Sequence, residues 1–539
     1  MASNSGLLHR TARAKGEGLE DLVSSWALCL LVPVACAVVL LPATLVGGCA
    51  RKPADHSRVT STAFRDYLDT SVGRLFEVPA AEHPGESGFA IIRHGRQAFT
   101  ARIALTELAE RSLDVQYYIW EVDATGRILA ERLIRAADRG VRVRVLVDDI
   151  NLAGRDPLVA AIDAHPGIEV QVFNPFSHRD NRAIDFVIDL ARINHRMHNK
   201  IMVADNALAI VGGRNIGDHY FEVATDANFR DLDIAAAGPI VRDISNVFDH
   251  FWNGEWAVPI SELVDRPYTE TELREAAATM RVRIAEDNYP YPLDRDVDSL
   301  KTELSSIRDE FIWAPGQVVW DDPATLQDGI AQGSMITALF KKVDTLHSEI
   351  LLESAYFVMQ DPSIEKLAEL KDRGVRVRVM TNSLASNDVI AAHAGHAKRR
   401  RKVIENGVEL YEMRPDAGAI EKSIVSGDSK AGLHTKAIVF DRESVFIGSF
   451  NLDPRSASIN TEAGLYVESP ELAEQVIAYM DEGVLPENSY QVMLDDEGDL
   501  LWITEIEGEE VRFHKDPETG FWDRFIAGLI MLLPIEHQL

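Results

Sequence analysis

Cysteine is nearly absent from this chain of 539 residues, and its distribution limits the chemistry that is available. All three cysteines, Cys29, Cys36 and Cys49, lie within the first 49 residues. The rest of the chain therefore has no disulfide framework, no thiolate metal site and no catalytic cysteine. Its length is sufficient for two or three domains with a sizeable core.

Positive charge is also scarce. The chain has 55 Lys and Arg residues against 85 Asp and Glu residues, which gives a formal net charge of −30. Such a chain repels polyanions as a whole, although a local basic groove is compatible with this total. We therefore expect no nucleic-acid partner.

Only one apolar run is long enough to cross a bilayer. It covers residues 26–48, "WALCLLVPVACAVVLLPATLVGG", and has no charged residue. It ends in small residues before Cys49, which resembles a bacterial lipoprotein processing site. The segment is either a lipoprotein signal with Cys49 lipidated or a retained transmembrane anchor. Both interpretations predict attachment to the bacterial cell membrane, and the flanking charges do not determine the side.

The body of the chain contains a duplication. The two copies are "LIRAADRGVRVRVLVDD" (133–149) and "LAELKDRGVRVRVMTNS" (367–383). Each copy predicts an amphipathic helix, a glycine C-cap (Gly140 or Gly374) and a strand of alternating valine and arginine. Apolar strands at 113–120 and 350–359 precede them. The order strand–helix–strand predicts a parallel or mixed sheet with a covering helix.

The spacing of the copies indicates one ancestral domain used twice. Asp138 is followed by His198 after 60 residues, and Asp372 is followed by His434 after 62. The expected segments are an anchor (1–49), a first half (85–265), a linker (266–330), a second half (331–490) and a C-terminal tail (491–539).

A short motif, H-x-K-x4-D, occurs once in each half. The copies are "RMHNKIMVAD" (196–205), with His198, Lys200 and Asp205, and "GLHTKAIVFD" (432–441), with His434, Lys436 and Asp441. Residues i and i+2 of a strand point to the same face, so each copy places an imidazole beside an ammonium group. Each copy predicts a hairpin that turns at its aspartate. Small residues and an asparagine, Asn215 or Asn451, then follow.

Two copies of this motif suit displacement at one phosphate. The lysines and asparagines can hold the phosphate oxygens, which predicts phosphate binding by Lys200, Lys436, Asn215 and Asn451. One histidine can attack phosphorus while the other protonates the leaving alcohol and later deprotonates the incoming one. A single copy supplies only one of these two groups. The duplication therefore predicts one active site built by both halves.

The paired motif resembles that of the phospholipase D superfamily. Its context, "LDVQYYIW", "VGGRNIGDHYF" and "HAGHAKRRRKVIENGVELYE", is similar to the C-type bacterial cardiolipin synthases, over roughly residues 85–539. This resemblance implies an α/β fold, a duplicated α/β/α sandwich whose two pseudo-twofold-related halves share one active site. It also implies a phosphohistidine intermediate, no metal and no cofactor.

The resemblance further implies an acidic residue downstream of each motif that orients its histidine. In the second half this residue is Glu462. In the first half it is Asp231, with Asp233 as the competitor, because the spacing from the asparagine is five residues longer there. A carboxylate on the second imidazole nitrogen would fix the tautomer.

Asp205 and Asp441 complete the motif and are counted with its catalytic residues. Their position in turns, where aspartate is favoured, argues for a structural role instead. Asp148 and Asn382 end equivalent strands near the expected cleft, but their chemistry differs, so we do not expect them to be catalytic.

Two other features allow either a purely structural or a functional interpretation. The basic run "KRRRK" (398–402) is either a solvated helix face or a surface for anionic headgroups. The apolar run "FIAGLIMLL" (525–533) is too short to span a membrane and predicts either a docked helix or an interfacial one.

The expected activity is transfer of a phosphatidyl group from phosphatidylglycerol or phosphatidylethanolamine to phosphatidylglycerol. We expect His198 to be the nucleophile and His434 to activate the acceptor. Water as the acceptor would give phospholipase D hydrolysis with the same residues. A phosphodiesterase acting on nucleic acid and a non-catalytic lipid-binding protein are the remaining alternatives, and the intact motifs argue against the last. A protein partner is not predicted by any motif.

Overall fold

Two large mixed β-sheets carry the motif hairpins. The computed structural model describes residues 60–539 apart from 288, 294–295, 329–333, 421–425, 428, 534–537 and 539. The predicted anchor and Cys49 lie outside the described residues. Within the described part of the chain, no helix is both long and apolar enough to cross a membrane.

The helices mostly connect successive strands. They are α1 (Ser71–Glu82), α2 (Gly95–Leu108), α3 (Ala124–Asp138), α4 (Asp156–Asp163), α5 (Ala183–Ile188), α6 (Leu190–Ile193), α7 (Ile240–Trp252), α8 (Glu270–Glu286), α9 (Val297–Asp309), α10 (Ser334–Thr345), α11 (Asp361–Asp372), α12 (Ile390–Glu405), α13 (Pro454–Ser458), α14 (Pro470–Gly483) and α15 (Phe521–Met531). Short 3-10 helices cover Tyr67–Asp69, Asp149–Asn151, Asp218–Phe221, Ile260–Glu262 and Pro323–Asp328.

The strands are short and largely buried. They are β1 (Ser87–Ile92), β2 (Ser112–Tyr117), β3 (Arg142–Asp148), β4 (Ile168–Phe173), β5 (Ile201–Ala204), β6 (Leu208–Gly212), β7 (Ala227–Arg230), β8 (Asp233–Ala237), β9 (Ala257–Pro259), β10 (Ile312–Ala314), β11 (Gly316–Trp320), β12 (Glu349–Ser354), β13 (Arg376–Asn382), β14 (Val408–Met413), β15 (Lys430–Leu433), β16 (Lys436–Phe440), β17 (Ser444–Gly448), β18 (Ala463–Glu468), β19 (Ser489–Leu494), β20 (Leu500–Ile506) and β21 (Glu509–Phe513).

The two sheets repeat one topology. The first has the order β10-β1-β8-β6-β5-β2-β3-β4-β9, and the second has the order β11-β18-β17-β16-β12-β13-β14-β19-β20-β21. β2, β3 and β4 are parallel, as are β12, β13 and β14. β5 and β16 run antiparallel to the first strand of each trio. Both halves therefore have the predicted strand–helix–strand order, and the expectation of a duplicated α/β fold is confirmed.

Local sequence signals end the predicted elements where expected. Gly140 and Gly374 have φ values of +93° and +74°, which glycine adopts without strain at the end of a helix. The predicted motif hairpins form as β5–β6 and β16–β17. Their turns place Asp205 and Asp441 in the left-handed region, where aspartate is tolerated better than most residues.

One apolar core joins the two sheets. Val203, Ala209 and Ile234 of the first sheet belong to the same buried cluster as Val439 and Leu465 of the second. Side chains of α7 and α14 complete this cluster. The segment expected as a linker adds β10 to the first sheet and β11 to the second. β19 crosses the expected boundary at residue 490, and β20 and β21 extend the second sheet from the expected tail.

Candidate active site

Short segments that pair across the halves bring the two motifs together. β15 ends directly before His434 and pairs in parallel with β7, which ends directly before Asp231. A parallel bridge likewise joins Met197 to Thr461. The amide of His198 donates to the carbonyl of Thr461 at 2.9 Å. Each histidine therefore lies against a segment of the opposite half.

His198 is held by the second half. Its Nδ1 lies 2.9 Å from Oε2 of Glu462 and 3.1 Å from the carbonyl oxygen of Ser449. A backbone carbonyl can only accept a hydrogen bond, so the proton of a neutral imidazole belongs on Nδ1 and the lone pair belongs on Nε2. The Ser449 hydroxyl donates to Glu462 and fixes that carboxylate. Ser449 is one of the small residues that follow the second motif, and the sequence pattern alone does not predict its contact with Glu462.

His434 is held by the first half in the same way. Its Nδ1 lies 2.6 Å from Oδ2 of Asp231. Asp233, the competing residue, instead pairs with the buried Arg102 at 2.9 Å. The expectation that each acidic residue orients the histidine of its own motif is wrong. Glu462 contacts His198 and Asp231 contacts His434, because the segments before each histidine pair across the halves.

The lysines lie beside these pairs and are buried. Lys200 and Lys436 each donate a hydrogen bond to the carbonyl of the histidine two positions earlier in the chain. An ammonium group has three N–H donors, so two remain on each lysine for an anionic ligand. Both lysines interact electrostatically with Asp231 and Glu462. The four side chains thus form one balanced charge cluster drawn from both halves.

Burial and the lysine charges set the protonation of the site. Both effects hold the pKa values of His198 and His434 well below their ordinary value. Burial also lowers the pKa of Lys200 well below its ordinary value and the pKa of Lys436 to about 8, and it raises the pKa of Glu462 to about 7. The imidazoles are therefore neutral at pH 7, as a nitrogen nucleophile must be.

Aromatic rings flank both imidazoles. The ring of Tyr118 lies 4.8 Å from that of His198. Tyr220 and Phe229 lie 5.1 and 5.4 Å from the ring of His434. The two histidines are only 7% and 5% exposed, so little of each imidazole is open to solvent. Such surroundings restrict water at the reacting nitrogens.

The predicted asparagines differ in their contacts. Asn215 accepts from the amide of Ile119 at 3.2 Å and donates to the Tyr220 hydroxyl at 3.0 Å. Oδ1 of Asn451 is buried and has no hydrogen-bond partner among the described residues. Phosphate binding by these asparagines stays a prediction.

The small residues of the motif tails serve packing. A side chain at Gly213 would overlap the carboxylate of Asp231, and one at Gly448 would overlap the backbone of Gly464. These glycines let neighbouring strands approach behind the carboxylates that hold the histidines. Gly213 and Gly448 are therefore required by this close packing.

Asp205 and Asp441 hold loops at the other end of their hairpins. Asp205 is buried and accepts from the amides of residues 110–112 at 2.7 to 3.2 Å. Asp441 accepts from the amides of residues 347–349 at 2.8 to 3.0 Å. These loops lead into β2 and β12. The contacts support the structural alternative for both aspartates over the catalytic one.

Two positioning residues were set aside by sequence reasoning. Asp148 accepts from the amide of Met197 at 2.9 Å, and Asn382 accepts from the amide of Leu433 at 2.7 Å. Each therefore holds the residue that directly precedes a motif histidine. Their difference in chemistry hid this equivalence, because an amide oxygen and a carboxylate oxygen both accept from a backbone amide.

The basic run on α12 is partly buried. Arg400 is 2% exposed and pairs with Glu412 at 2.8 Å and with Asp516 at 3.1 Å. Arg401 is solvated and lies 3.6 Å from Asp499. The run is therefore neither a fully solvated helix face nor a fully free basic surface. Its central residue, Arg400, joins α12 to the C-terminal residues.

Known proteins match both halves of this chain. A family model described as "Cardiolipin synthase, PLD-like domain" matches residues 103–252 and 339–483. Cardiolipin synthase C of Escherichia coli is 37% identical over 471 residues, which are 85% of this chain and 98% of that protein. An uncharacterized protein of Helicobacter pylori is 30% identical over 474 residues, which are 87% of this chain and 93% of that one.

The fold comparison agrees with the sequence comparison. The crystal structure of phosphatidylserine synthase from Haemophilus influenzae aligns with a TM-score of 0.55 at 13% identity, covering 86% of this chain and 100% of that one. At this identity the likeness concerns the fold alone. The matched family model and the relatives, together with the doubled motif at one site, lead to one conclusion: the chain belongs to the phospholipase D-like cardiolipin synthase family.

Proposed function

We propose that this protein is a membrane-attached phosphatidyltransferase that forms cardiolipin. The observation that carries the proposal is the pair of neutral, buried imidazoles, His198 and His434, each held at Nδ1 by a carboxylate of the opposite half. One group can attack phosphorus and the other can manage the proton of the alcohol. The activity of the relatives supports the same reaction.

Binding of the donor changes the charge of the site. The phosphodiester anion of phosphatidylglycerol or phosphatidylethanolamine is held by the free N–H donors of Lys200 and Lys436, with the amides of Asn215 and Asn451 nearby. A bound anion raises the pKa of a neighbouring imidazole. His434 can then take up the proton that it needs as a general acid.

The first step forms the phosphohistidine. Nε2 of His198 attacks phosphorus, and the bond from phosphorus to the leaving oxygen breaks. His434 donates its proton to that oxygen, so glycerol or ethanolamine leaves with its hydroxyl group protonated. The imidazolium character that develops on His198 is stabilised by Glu462.

The second step reverses these roles. His434, now neutral, takes the proton from the hydroxyl of phosphatidylglycerol. The alcohol oxygen attacks phosphorus, and the bond to Nε2 of His198 breaks to release cardiolipin. Tyr220 and Phe229 pack against His434 and favour a lipid hydroxyl over water at this nitrogen. Water in the same position would give phosphatidic acid.

Attachment to the membrane belongs to the proposal. The apolar run at 26–48, with or without lipidation of Cys49, supplies one contact. Helix α15 supplies a second: Phe521 and Trp522 are each 68% exposed, while Ala527 on the opposite side is buried. Exposed aromatic residues on a helix suit the headgroup region of a bilayer. Helix α15 thus combines the docked and the interfacial alternatives.

The test uses the purified full-length protein with vesicles of phosphatidylglycerol, with and without phosphatidylethanolamine. Lipid mass spectrometry should detect cardiolipin with the wild-type protein and none with His198→Ala or His434→Ala. Dependence on phosphatidylethanolamine would identify the donor.

Two results would contradict the proposal. Phosphatidic acid in place of cardiolipin would make the protein a phospholipase, and an unchanged lipid mixture would remove the enzymatic function. A phosphatidyl group trapped on His434 instead of His198 after denaturant quench at neutral pH would reverse the assignment of the nucleophile.

A further inference from the structure

The first half contains a large apolar cavity outside the charge cluster of the active site. Its volume is about 410 Å³, within the range of roughly 300–1,000 Å³ that ligand pockets occupy. Protein interiors are otherwise close-packed, with few voids larger than a water molecule. The cavity lies between the β3–β4 face of the sheet and helices α3, α4 and α8.

The inner walls of the cavity are formed by aliphatic side chains. Its walls include Leu133, Val145, Val147 and Val170, all of which are buried. β3 and β4 run along the floor, and a strand of six residues spans about 20 Å. Val145 and Val147 of β3 and Ile168 and Val170 of β4 therefore give the cavity an apolar floor.

Helix α8 lines the cavity with one face. Ala276, Thr279, Met280 and Arg283 line it, at the i, i+3, i+4 and i+7 spacing of a single helix face. A capping box of Thr269 and Glu272 fixes the start of this helix. A segment that sequence reasoning treated as a linker thus forms a wall.

The rim of the cavity is polar and charged. Arg155 pairs with Glu121 at 3.0 Å, and Arg127 of α3 pairs with Asp287 beyond the end of α8 at 2.6 Å. Arg283 lies on the cavity face one turn before Asp287. Ala276 lies two turns deeper along the same helix, about 10 Å at 1.5 Å per residue. The cavity is thus amphipathic from rim to base.

The rim lies at the same end of the sheet as the active site. Trp120 and Glu121 line the cavity, and two residues earlier Tyr118 packs against the imidazole of His198. The amide of Glu121 donates to the carbonyl of Ile216, the residue after Asn215. The rim and the histidines therefore share the end of the sheet at which β2 and β3 terminate.

We propose that this cavity binds one fatty acyl chain of the phospholipid substrate whose phosphate occupies the active site. The inference rests on the proposed phosphatidyltransferase function and adds a lipid-chain site to it. The polar rim matches the glycerol ester region of a lipid, and the apolar interior matches the chain. Since α8 and the base of the cavity limit its depth, the same site sets a preference for chain length.

Direct labelling tests the site independently of turnover. The probe is phosphatidylglycerol with a photoactivatable diazirine at the end of one palmitoyl chain, presented in vesicles to the full-length protein. After illumination, mass spectrometry of peptides should place adducts within 130–170 and 276–283. Adducts confined to other surfaces would overturn the proposal. Labelling of the cavity by a free palmitate diazirine but not by the phospholipid would overturn it in favour of a fatty-acid site.

Filling the base of the cavity tests the chain-length preference. Ala276→Phe should lower kcat/KM for dipalmitoyl phosphatidylglycerol at least about tenfold relative to dioctanoyl phosphatidylglycerol, because burying two methylene groups is worth about this factor. Ala278→Phe, an exposed position on the same helix, should leave the ratio unchanged.

The outcomes separate this site from the reaction itself. An unchanged ratio in Ala276→Phe with normal activity would overturn the acyl-chain site and leave the phosphatidyltransferase intact. If Ala276→Phe does not fold, the labelling of the wild-type protein decides. If the wild-type protein changes no lipid, the proposed function fails, while labelling still reports whether the cavity takes a chain.

Discussion

At the scale of single residues, the active site buries six ionisable groups, and burial disfavours the usual charge of each one. Burial lowers the pKa values of both lysines and both histidines and raises those of Asp231 and Glu462. Sites of this kind sacrifice stability for function. A phosphate anion bound between the two ammonium groups would relieve this strain.

The strain on Lys436 gives a pH dependence of stability. Its pKa is about 8 in the folded chain against an ordinary 10.5, so between these pH values the unfolded chain holds a proton that the folded chain lacks. Stability contributed by this group therefore rises with pH across that window. Denaturant titrations should show the wild-type free energy of unfolding rising by about 2–3 kcal/mol relative to that of Lys436→Met.

The control for this prediction is an exposed lysine. Lys402→Met, on the solvated side of α12, should track the wild-type protein across the same pH range. Equal pH slopes for wild type and Lys436→Met would show that Lys436 is not strained.

Asn382 tests whether a residue remote from phosphate positions a histidine. It accepts from the Leu433 amide and donates to the Leu433 carbonyl, both at 2.7 Å. Asn382→Ala should lower kcat about 10²-fold with little change in KM, because His434 loses its fixed position. Asn382→Asp keeps only the acceptor and should restore part of kcat. Identical kinetics for Asn382→Ala and wild type would contradict the role.

The histidines and lysines of the site could be found from the sequence, but the partners of the histidines could not. The resemblance to the phospholipase D superfamily implied an acidic residue after each motif, and Asp231 and Glu462 were the expected residues. It could not show which imidazole each one contacts, because that depends on the pairing of β7 with β15 and of Met197 with Thr461. These contacts join residues that are far apart in the chain.

At the scale of elements, the two ends of each motif hairpin have different roles. The histidine end belongs to the active site, and the turn end is held by Asp205 or Asp441 against the loops before β2 and β12. The periodicity of valine and arginine predicted β3 and β13 with their preceding helices. Short strands such as β10, with three residues, carry no such periodicity, so their addition to the sheets was not predicted.

The aspartate of each motif should therefore matter for folding more than for chemistry. Asp205→Ala leaves the amides of residues 110–112 without their acceptor and should lower the free energy of unfolding by about 3 kcal/mol. The folded fraction should keep the kcat of the wild-type protein. A loss of kcat with unchanged stability would return Asp205 to the catalytic residues.

The C-terminal residues should depend on one arginine of α12. Arg400→Ala leaves Glu412 buried without its cation, which should destabilise the protein by about 3–5 kcal/mol in thermal or denaturant unfolding. Arg401→Ala, next to it but 49% exposed, should change stability by less than about 1 kcal/mol. If the two variants lowered stability equally, the buried ion pair of Arg400 would not be important for stability.

At the scale of the whole molecule, duplication created a site that neither half contains alone. The sequence repeat predicted the two halves and a shared site, because displacement at phosphorus needs a group on each side. It did not predict how extensively the two halves contact each other. One apolar core spans both sheets, and each half orients the histidine of the other. The halves should therefore unfold together.

Histidine-labelled NMR of the full-length protein tests this crossed arrangement most directly. The Nδ1–H resonances of His198 and His434 report the carboxylate that each one contacts. Glu462→Gln should shift the resonance of His198 and leave that of His434 in place, and Asp231→Asn should do the reverse. If Glu462→Gln instead moves His434 and Asp231→Asn moves His198, each half orients its own histidine and the crossed site is wrong.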